Sequence, residues 1–582
     1  MAQTYPTADG NLTDDVLDRL AHDADAVALA RRVDGEWHDV TIGDFHREVT
    51  DLAKGLMASG VEPGDRVVLL SKTRYEWTLA DYAIWWAGAV TVPVYETSSP
   101  AQIGWILADS GAVAAVVEST DHAARVEEAR EQTPHLVNVW TIDEGGVDTV
   151  CAAGADVADD VLDGRRKSLG PDSLATLIYT SGTTGRPKGC QLTHGNFRAE
   201  LAGALERLPE LFGSANEKGE GASTLLFLPL AHVFARVIQV GAIRAGAKLG
   251  HTADIRDLVN HLGEFEPTFV LAVPRVFEKV FNSASSKAYV DGRGKVFDRA
   301  VQTAISYSRA HDSGKPGVAL RARHAVFDRL VYGKLREALG GHTEWAISGG
   351  APLGERLAHF YRGIGVPVLE GYGLTETTAA LCVNTPKNQR IGSVGRVFPD
   401  TEVEVASDGE LRFRGPQVFG GYWNNPEATA ETLDADGWFS TGDLGDVDAD
   451  GFIRITGRKK EILVTAGGKN VAPAVLEDRI RAHPYVSQCL VVGDGKPFVA
   501  ALVTIDTEAW TGSLDDRALE SAVQEAIDDA NAQVSQAEAI KKFVILPDDW
   551  TEQNGYLTPS FKVKRNAVLS DFHDTVEALF VR

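Results

Sequence analysis

Short apolar runs alternate with amphipathic stretches along most of the chain. From Asp65 the run RVVLLS (66–71) leads into the helical pattern YEWTLADYAIWWAGA (75–89). The run VTVPVY (90–95) follows, then the helical pattern PAQIGWILADSG (100–111) and the run VAAVVES (113–119). Continuous apolar runs between helical patterns predict strands buried on both faces, so βαβ units and a parallel sheet. ATLIYTSG (175–182) repeats the theme, a strand running straight into a glycine-rich loop. Ligands of open α/β sheets lie beyond the carboxyl ends of the strands, which is where this loop would sit.

Two regions break the rhythm. Residues 282–336 carry a net positive charge and helical periodicity. Such a stretch reads first as a solvated helical insertion, with a surface for anionic lipid or an anionic substrate as the sharper alternative. Past Asp450, GFIRITGRKKEILVTAGGKNVAP (451–473) sets a basic, glycine-containing segment between two strand-like runs. After it come helix and strand patterns of their own, as expected of a separate domain. The predicted class is α/β: a large, multi-subdomain N-terminal domain (1–456) with parallel βαβ layers, a hinge at 457–460, and a small α+β C-terminal domain (461–582).

At 582 residues the chain exceeds what one hydrophobic core supports, which agrees with that division. A net charge of −25 argues against a nucleic-acid partner, which would require a basic surface. The four cysteines, Cys151, Cys190, Cys382 and Cys489, are scattered without metal-ligand spacing, so reduced thiols are expected. The first residues lack the basic and apolar regions of a secretion signal, and AIWWAGAVTVPVY falls short of the roughly 18 apolar residues of a spanning helix. A cytoplasmic location is expected.

The chemistry concentrates in a few motifs. YTSGTTGRPKGC (179–190) offers bare backbone N–H groups, hydroxyls and the cation Lys188, the parts of an anion cradle. It is not a Walker A loop, because Gly182 and Gly185 have the wrong spacing and Gly189, not a hydroxyl residue, follows Lys188. GGAPL (349–353) would let a flat ring approach bare backbone. EGYGLTETT (370–378) combines the aromatic Tyr372 with hydroxyls and the carboxylate Glu376, and one or two carboxylates beside a triphosphate are what Mg²⁺ takes from a protein. STGDLG (440–445) puts Asp443 in a turn where it could hold ribose hydroxyls or simply form the turn.

Together these motifs resemble, in order and over nearly the whole chain, the adenylate-forming superfamily of acyl-CoA synthetases, peptide-synthetase adenylation domains and luciferases. Within it the chain is most similar to bacterial long-chain fatty acid–CoA ligases, on VPRVFEKV (273–280), EFEPTFVLA (264–272) and the 282–336 region. The resemblance implies that Thr180, Ser181, Gly182, Thr183, Thr184, Gly185 and Lys188 hold the ATP phosphates, with Thr180 and Glu376 at Mg²⁺. It implies that Gly349, Gly350 and Ala351 line the adenine and acyl pocket. In the next motif Tyr372 would stack on adenine, with Gly371 and Gly373 also in the nucleotide site and Thr375 near the α-phosphate. Asp443 and Arg458 would hold the ribose, and His232 of LPLAHVFAR would stand where carboxylate and α-phosphate meet. Lys562 of LTPSFKVKR matches the catalytic lysine, although a phenylalanine stands where relatives carry glycine and Lys564 competes for the role. Lys460 matches the hinge, with Gly467 and Gly468 shaping a pantetheine channel after a domain rotation. Arg236 stands where some relatives carry an aromatic gate.

The implied activity is conversion of a long-chain fatty acid through acyl-AMP to acyl-CoA, with ATP and coenzyme A as substrates. Other readings stay open: a fatty acyl-AMP ligase loading a carrier protein, a CoA ligase for another acid, or a nucleotide binder without catalysis.

Overall fold

The computed structural model describes residues 10–180, 186–213, 221–254, 257–507, 509–558 and 562–581. Its centre is a six-stranded sheet in which Asn138–Thr141, Ala114–Val117, Arg66–Leu70, Val90–Val94 and Leu174–Thr180 run parallel in that order. Lys188–Thr193 closes one edge antiparallel to Leu174–Thr180. The predicted βαβ units are therefore present. The helix Tyr75–Trp86, apolar nearly all round, is buried along its whole length, which accounts for the absence of a polar face in its sequence.

A four-stranded sheet carries Ser223–Leu226 and Lys248–His251, and a five-stranded sheet carries Phe269–Ala272, Trp345–Ser348 and Val368–Leu374 as parallel neighbours. The strands Glu402–Val405, Glu410–Arg414, Phe439–Val447 and Ile453–Arg458 form an antiparallel sheet beyond them. One large apolar core, from Leu12 to Phe439, unites the parallel sheets and their helices. The C-terminal region packs its own cores between Val471 and Leu579 around the sheet Val486–Val492, Val499–Ile505 and Ile540–Ile545. A large N-terminal domain and a smaller C-terminal domain result.

The 282–336 region departs from the expected solvated insertion. The helix Gly294–Asp312 turns Phe297, Val301, Ala304 and Ile305 inward and packs on the helix Glu355–Gly363. Gly363 is needed there, because a Cβ on it would lie 2.2 Å from the Ala304 carbonyl oxygen. The helix Val318–Phe327 buries no residue and keeps the solvated character that its charge suggested.

Candidate active site

The motifs converge on one continuous cavity of about 2980 Å³ between the two domains. Thr180, Lys188, His232, Gly349, Gly350, Ala351, Gly371, Tyr372, Gly373, Thr375, Glu376, Asp443, Arg458, Lys460 and Lys562 all border it. Ser181, Gly182, Thr183, Thr184 and Gly185 lie outside the described residues. Gly467 and Gly468, in the turn joining Leu463–Val464 to Asn470–Val471, are not among the residues bordering the cavity.

Sheet register builds the polar end of the cleft. Asp443 and Arg458 are direct antiparallel partners, and Arg458 Nε lies 3.0 Å from Asp443 Oδ1. The other carboxylate oxygen accepts the Tyr372 hydroxyl at 2.6 Å. Aspartate, arginine and tyrosine thus fix one another before any ligand arrives. Burial and then the Asp443 carboxylate push the Tyr372 phenol well above its usual range, so it acts as a donor.

Glu376 is held from the other side. The Tyr422 hydroxyl donates to Glu376 Oε1 at 2.8 Å, while Lys188 Nζ stands 5.0 Å over the Tyr422 ring. Cys190, antiparallel bridge partner of Tyr422, is buried with its Sγ 3.9 Å from Thr180 Oγ1. Tyr422 lies 46 residues from Glu376, and no sequence pattern announced the pairing.

The chain just after Glu376 is strained. Thr378 and Ala379 both adopt positive φ, 54° and 85°, without being glycine, at roughly 1–3 kcal/mol each. Gly373 sits against this step, where a Cβ would come within 1.5 Å of the Ala379 carbonyl oxygen. The buried Glu200 accepts the Ala380 amide at 3.0 Å and holds the strained hairpin to the helix His194–Arg207.

His232 caps the helix Val233–Ala245, its Nδ1 accepting the Phe234 amide at 3.2 Å. Burial, and next the Lys562 ammonium, push it down to about 4, so it is a neutral imidazole at physiological pH. Water reaches Lys562 inside the cleft, yet the surrounding protein lowers its affinity for a proton, and the Arg458 guanidinium adds to that. The carboxylates of Asp443 and Glu376 act in the opposite direction. Lys562 and Lys564 both border the cavity, and the charges of Arg458, Asp443 and Glu376 act on Lys562. Arg565, three residues on, is tied to Glu477 within the C-terminal domain at 2.7 and 2.9 Å.

Arg236 is no gate. It points away from the cavity into the core, paired with Asp81 at 2.5 Å, with both side chains fully buried. The Trp77, Trp85 and Phe197 rings surround its guanidinium. Phe234, two residues earlier, borders the cavity instead.

A single carboxylate held by a neighbour, bordering the same cavity as Thr180 and Lys188, fits Mg²⁺, which keeps most of its waters and takes one or two protein ligands. Among the described residues no cluster of three or more His, Cys, Asp or Glu offers a denser metal site. No helix among them is long and apolar enough to cross a membrane.

Residues 17–423 match the AMP-binding enzyme family, and residues 460–582 match the AMP-binding enzyme C-terminal domain. The chain belongs to the AMP-binding enzyme family. This AMP-binding enzyme is 50% identical, over 97% of its length and 96% of the relative's, to the long-chain-fatty-acid–CoA ligase FadD15 of Mycobacterium bovis. The Mycobacterium tuberculosis protein of the same name matches at 50% over the same shares. Among solved structures it superposes on the A domain of carboxylic acid reductase from Segniliparus rugosus, in complex with AMP and a co-purified carboxylic acid. That likeness has a TM-score of 0.76 at 22% identity, covering 98% of this chain and 94% of that one, and concerns the fold alone.

Proposed function

We propose that this AMP-binding enzyme is a long-chain fatty acid–CoA ligase working through an acyl-adenylate, in the cleft where Lys562 meets His232, Asp443, Arg458 and Glu376. The observation that carries the assignment is that Lys562, from the C-terminal domain, borders the same cavity as His232, Asp443, Arg458 and Glu376. A nucleotide-binding protein has no use for a mobile cation there. The identity to FadD15 supports the fatty acid as substrate and CoA as acceptor.

A carboxylate is a poor electrophile, because its leaving group would be oxide. In the first step its oxygen attacks the α-phosphorus of ATP, the bond to pyrophosphate breaks, and acyl-AMP forms. No base is required. The task is positioning and stabilisation of charge on the phosphoryl oxygens. Lys562 bridges the carboxylate and those oxygens. The neutral His232 offers a hydrogen bond at the meeting point without adding repulsion to Lys562. Asp443 and Arg458 grip the ribose, Tyr372 and the 349–351 backbone flank adenine, and Thr180, Lys188 and Thr375 hold the phosphates. Glu376, steadied by Tyr422, would hold Mg²⁺, whose charge would neutralise the departing pyrophosphate. In the second step the CoA thiol attacks the acyl carbonyl, the C–S bond forms, AMP departs and the thiol proton goes to solvent.

Lys562 has no role in the second step and stands where CoA must approach. We assign the hinge to 457–460, with Lys460 as pivot, and a rotation that brings Gly467 and Gly468 to the cavity. The separate cores of the C-terminal domain support this division. Lys460→Pro is expected to spare acyl-AMP formation and impair thioester formation, and equal loss of both would overturn the hinge.

The exposed helix Val318–Phe327 and its continuation support a lipid-facing role. Val318, Val326 and Leu330 are 74%, 55% and 60% exposed, beside the exposed Arg321, Arg323 and Arg329. Apolar groups ringed by arginine complement an anionic bilayer, from which a fatty acid would enter. Sedimentation with phosphatidylglycerol vesicles but not phosphatidylcholine vesicles, reversed by salt, is the expected result.

The test of the main reading is a panel of acids from acetate to oleate, plus benzoate, with ATP and Mg²⁺, each with and without CoA, followed by mass spectrometry. Acyl-CoA from the longer chains is expected. Acyl-AMP that accumulates and never reaches CoA would transfer the second step to another acceptor.

A further inference from the structure

Lys562 reaches the cleft on a domain that shares no apolar core with the rest of the chain. Among the described residues, no apolar cluster draws members from both sides of the 457–460 segment. Hydrogen bonds bridge the two domains instead. Arg356 Nη2 donates to the Ala482 carbonyl at 2.7 Å. Arg275 Nη2 donates to Ser487 Oγ at 3.1 Å and lies 3.7 Å from the Asp506 carboxylate. The Thr97 hydroxyl donates to Glu552. Such bonds are weak enough, one by one, to be made and released within a catalytic cycle.

The Arg356 bond is the one that leads to Lys562. Arg356 lies in the helix Glu355–Gly363, just after the GGAPL motif, with its guanidinium 4.8 Å from the centre of the Phe281 ring. Its acceptor, Ala482, caps the C-terminal end of the helix Pro473–Arg481. The last carbonyls of a helix lack partners within it and carry the negative end of its dipole, which suits a guanidinium. The same helix carries Glu477, whose carboxylate accepts the Val491 amide at 2.6 Å and pairs with Arg565. Arg565 follows Lys562 by three residues. Lys562 is itself folded back on Thr558, its amide donating to Thr558 Oγ1 at 3.0 Å and its carbonyl accepting the Thr558 amide at 2.8 Å. One helix and one ion pair therefore connect Arg356 to the segment that carries Lys562.

We propose that Arg356 is a positioning residue for acyl-AMP formation: by holding the C-terminal end of the helix Pro473–Arg481, it docks the C-terminal domain in the orientation that brings Lys562 to the cleft. Arg275 secures the same orientation at a second point. Both bonds break when the domain rotates to admit CoA. This inference rests on the ligase reading and the hinge above.

The experiment separates the two half-reactions in Arg356→Gln, Arg356→Lys and Arg275→Gln. Acyl-AMP formation is read in a single turnover without CoA, and thioester formation from supplied acyl-AMP and CoA. Arg356→Gln is expected to lower the first rate about ten-fold, the equivalent of one hydrogen bond from a charged donor, and to leave the second within about two-fold of wild type or faster. Arg356→Lys, which keeps a cation, is expected to restore most of the first rate. A further readout uses the ligand-free enzyme. Lys562 acts on His232 and Arg356 does not, so withdrawal of Lys562 in Arg356→Gln should raise the His232 pKa seen by NMR. Should Arg356→Gln not fold, Arg275→Gln is expected to show the same split at smaller size. Unchanged rates in both variants, or equal loss of both steps, would overturn the proposal. Loss confined to the second step would make Arg356 a contact for CoA, and a slowed first step with His232 unmoved would make it a contact for the first-step substrates. Either result overturns the positioning role. A wild type that forms no acyl-AMP from any acid would remove the ligase reading instead, and this proposal with it.

Discussion

Lys562 and Lys564 are two residues apart in a basic motif, and both border the cavity. Lys562 acts on His232 through space, and the charges of Arg458, Asp443 and Glu376 act on Lys562 in turn. Lys564 contributes no such influence on His232. Lys562→Ala removes a cation aimed at the charge that develops on the phosphoryl oxygens. Losing one such preorganised donor costs about 2.7–4 kcal/mol, or 10²- to 10³-fold in rate. Acyl-AMP formation, followed by pyrophosphate release, is therefore expected to fall by that factor. Conversion of supplied acyl-AMP and CoA to acyl-CoA should change only a few-fold, because the role proposed for Lys562 belongs to the first step alone. Lys564→Ala should leave both steps near wild type. A second observable needs no turnover. Because the Lys562 charge helps hold His232 at about 4, its removal should raise the His232 pKa seen by NMR, and Lys564→Ala should not. A larger loss of adenylation in Lys564→Ala, or equal loss of both half-reactions in Lys562→Ala, would refute the assignment.

Other outcomes follow from the geometry. Asp81→Asn strands the fully buried Arg236 guanidinium and should cost about 3–5 kcal/mol in urea denaturation, and a cost below about 1 kcal/mol would contradict the pairing. Tyr422→Phe removes a 2.8 Å donor from the Glu376 carboxylate, worth about 1.5–3 kcal/mol, and should appear as a raised KM for MgATP. An unchanged KM would detach Tyr422 from the metal-binding role of Glu376. His251 is held down to about 4 by burial. The unfolded chain therefore binds its proton first, and the contribution to stability is complete above about pH 6.5 and lost as pH falls toward 4. Replacing His251 by Gln should flatten the dependence of the urea midpoint on pH in that window, by of order 1 kcal/mol per pH unit. An unaltered slope would mean that His251 titrates normally.

The fold was legible where the sequence signal is local. Runs such as RVVLLS and VTVPVY became parallel strands, because a strand buried on both faces has no polar positions to hide its length. Most of the described motif residues likewise lay on the cavity, Gly467 and Gly468 excepted, because glycines and hydroxyls mark strand ends and turns. Long-range pairings were not legible. Glu376 with Tyr422, Arg236 with Asp81 and Glu200 with Ala380 join positions 46, 155 and 180 residues apart, and one sequence carries no trace of such contacts. Arg236 is the instructive case, because its neighbours in sequence face the cavity while helical rotation turns it inward. The 282–336 region misled through charge. The basic residues of the helix Gly294–Asp312 decorate the outer face of a helix whose apolar face belongs to the main core, while the helix Val318–Phe327 is solvated as its charge suggested.

The Thr378–Ala379 step bears on how such an enzyme evolves. Glycine at Ala379 would relieve the left-handed backbone and raise stability, so mutational drift has a downhill route open to it, whereas glycine at Thr378 would also lose the hydroxyl that donates to the Gln417 carbonyl at 2.7 Å. The same change would loosen the ground on which Glu376 stands. Purifying selection at Ala379 would then act on catalytic fitness against the stability gradient. Thermostabilised descendants would gain their extra degrees elsewhere in the chain.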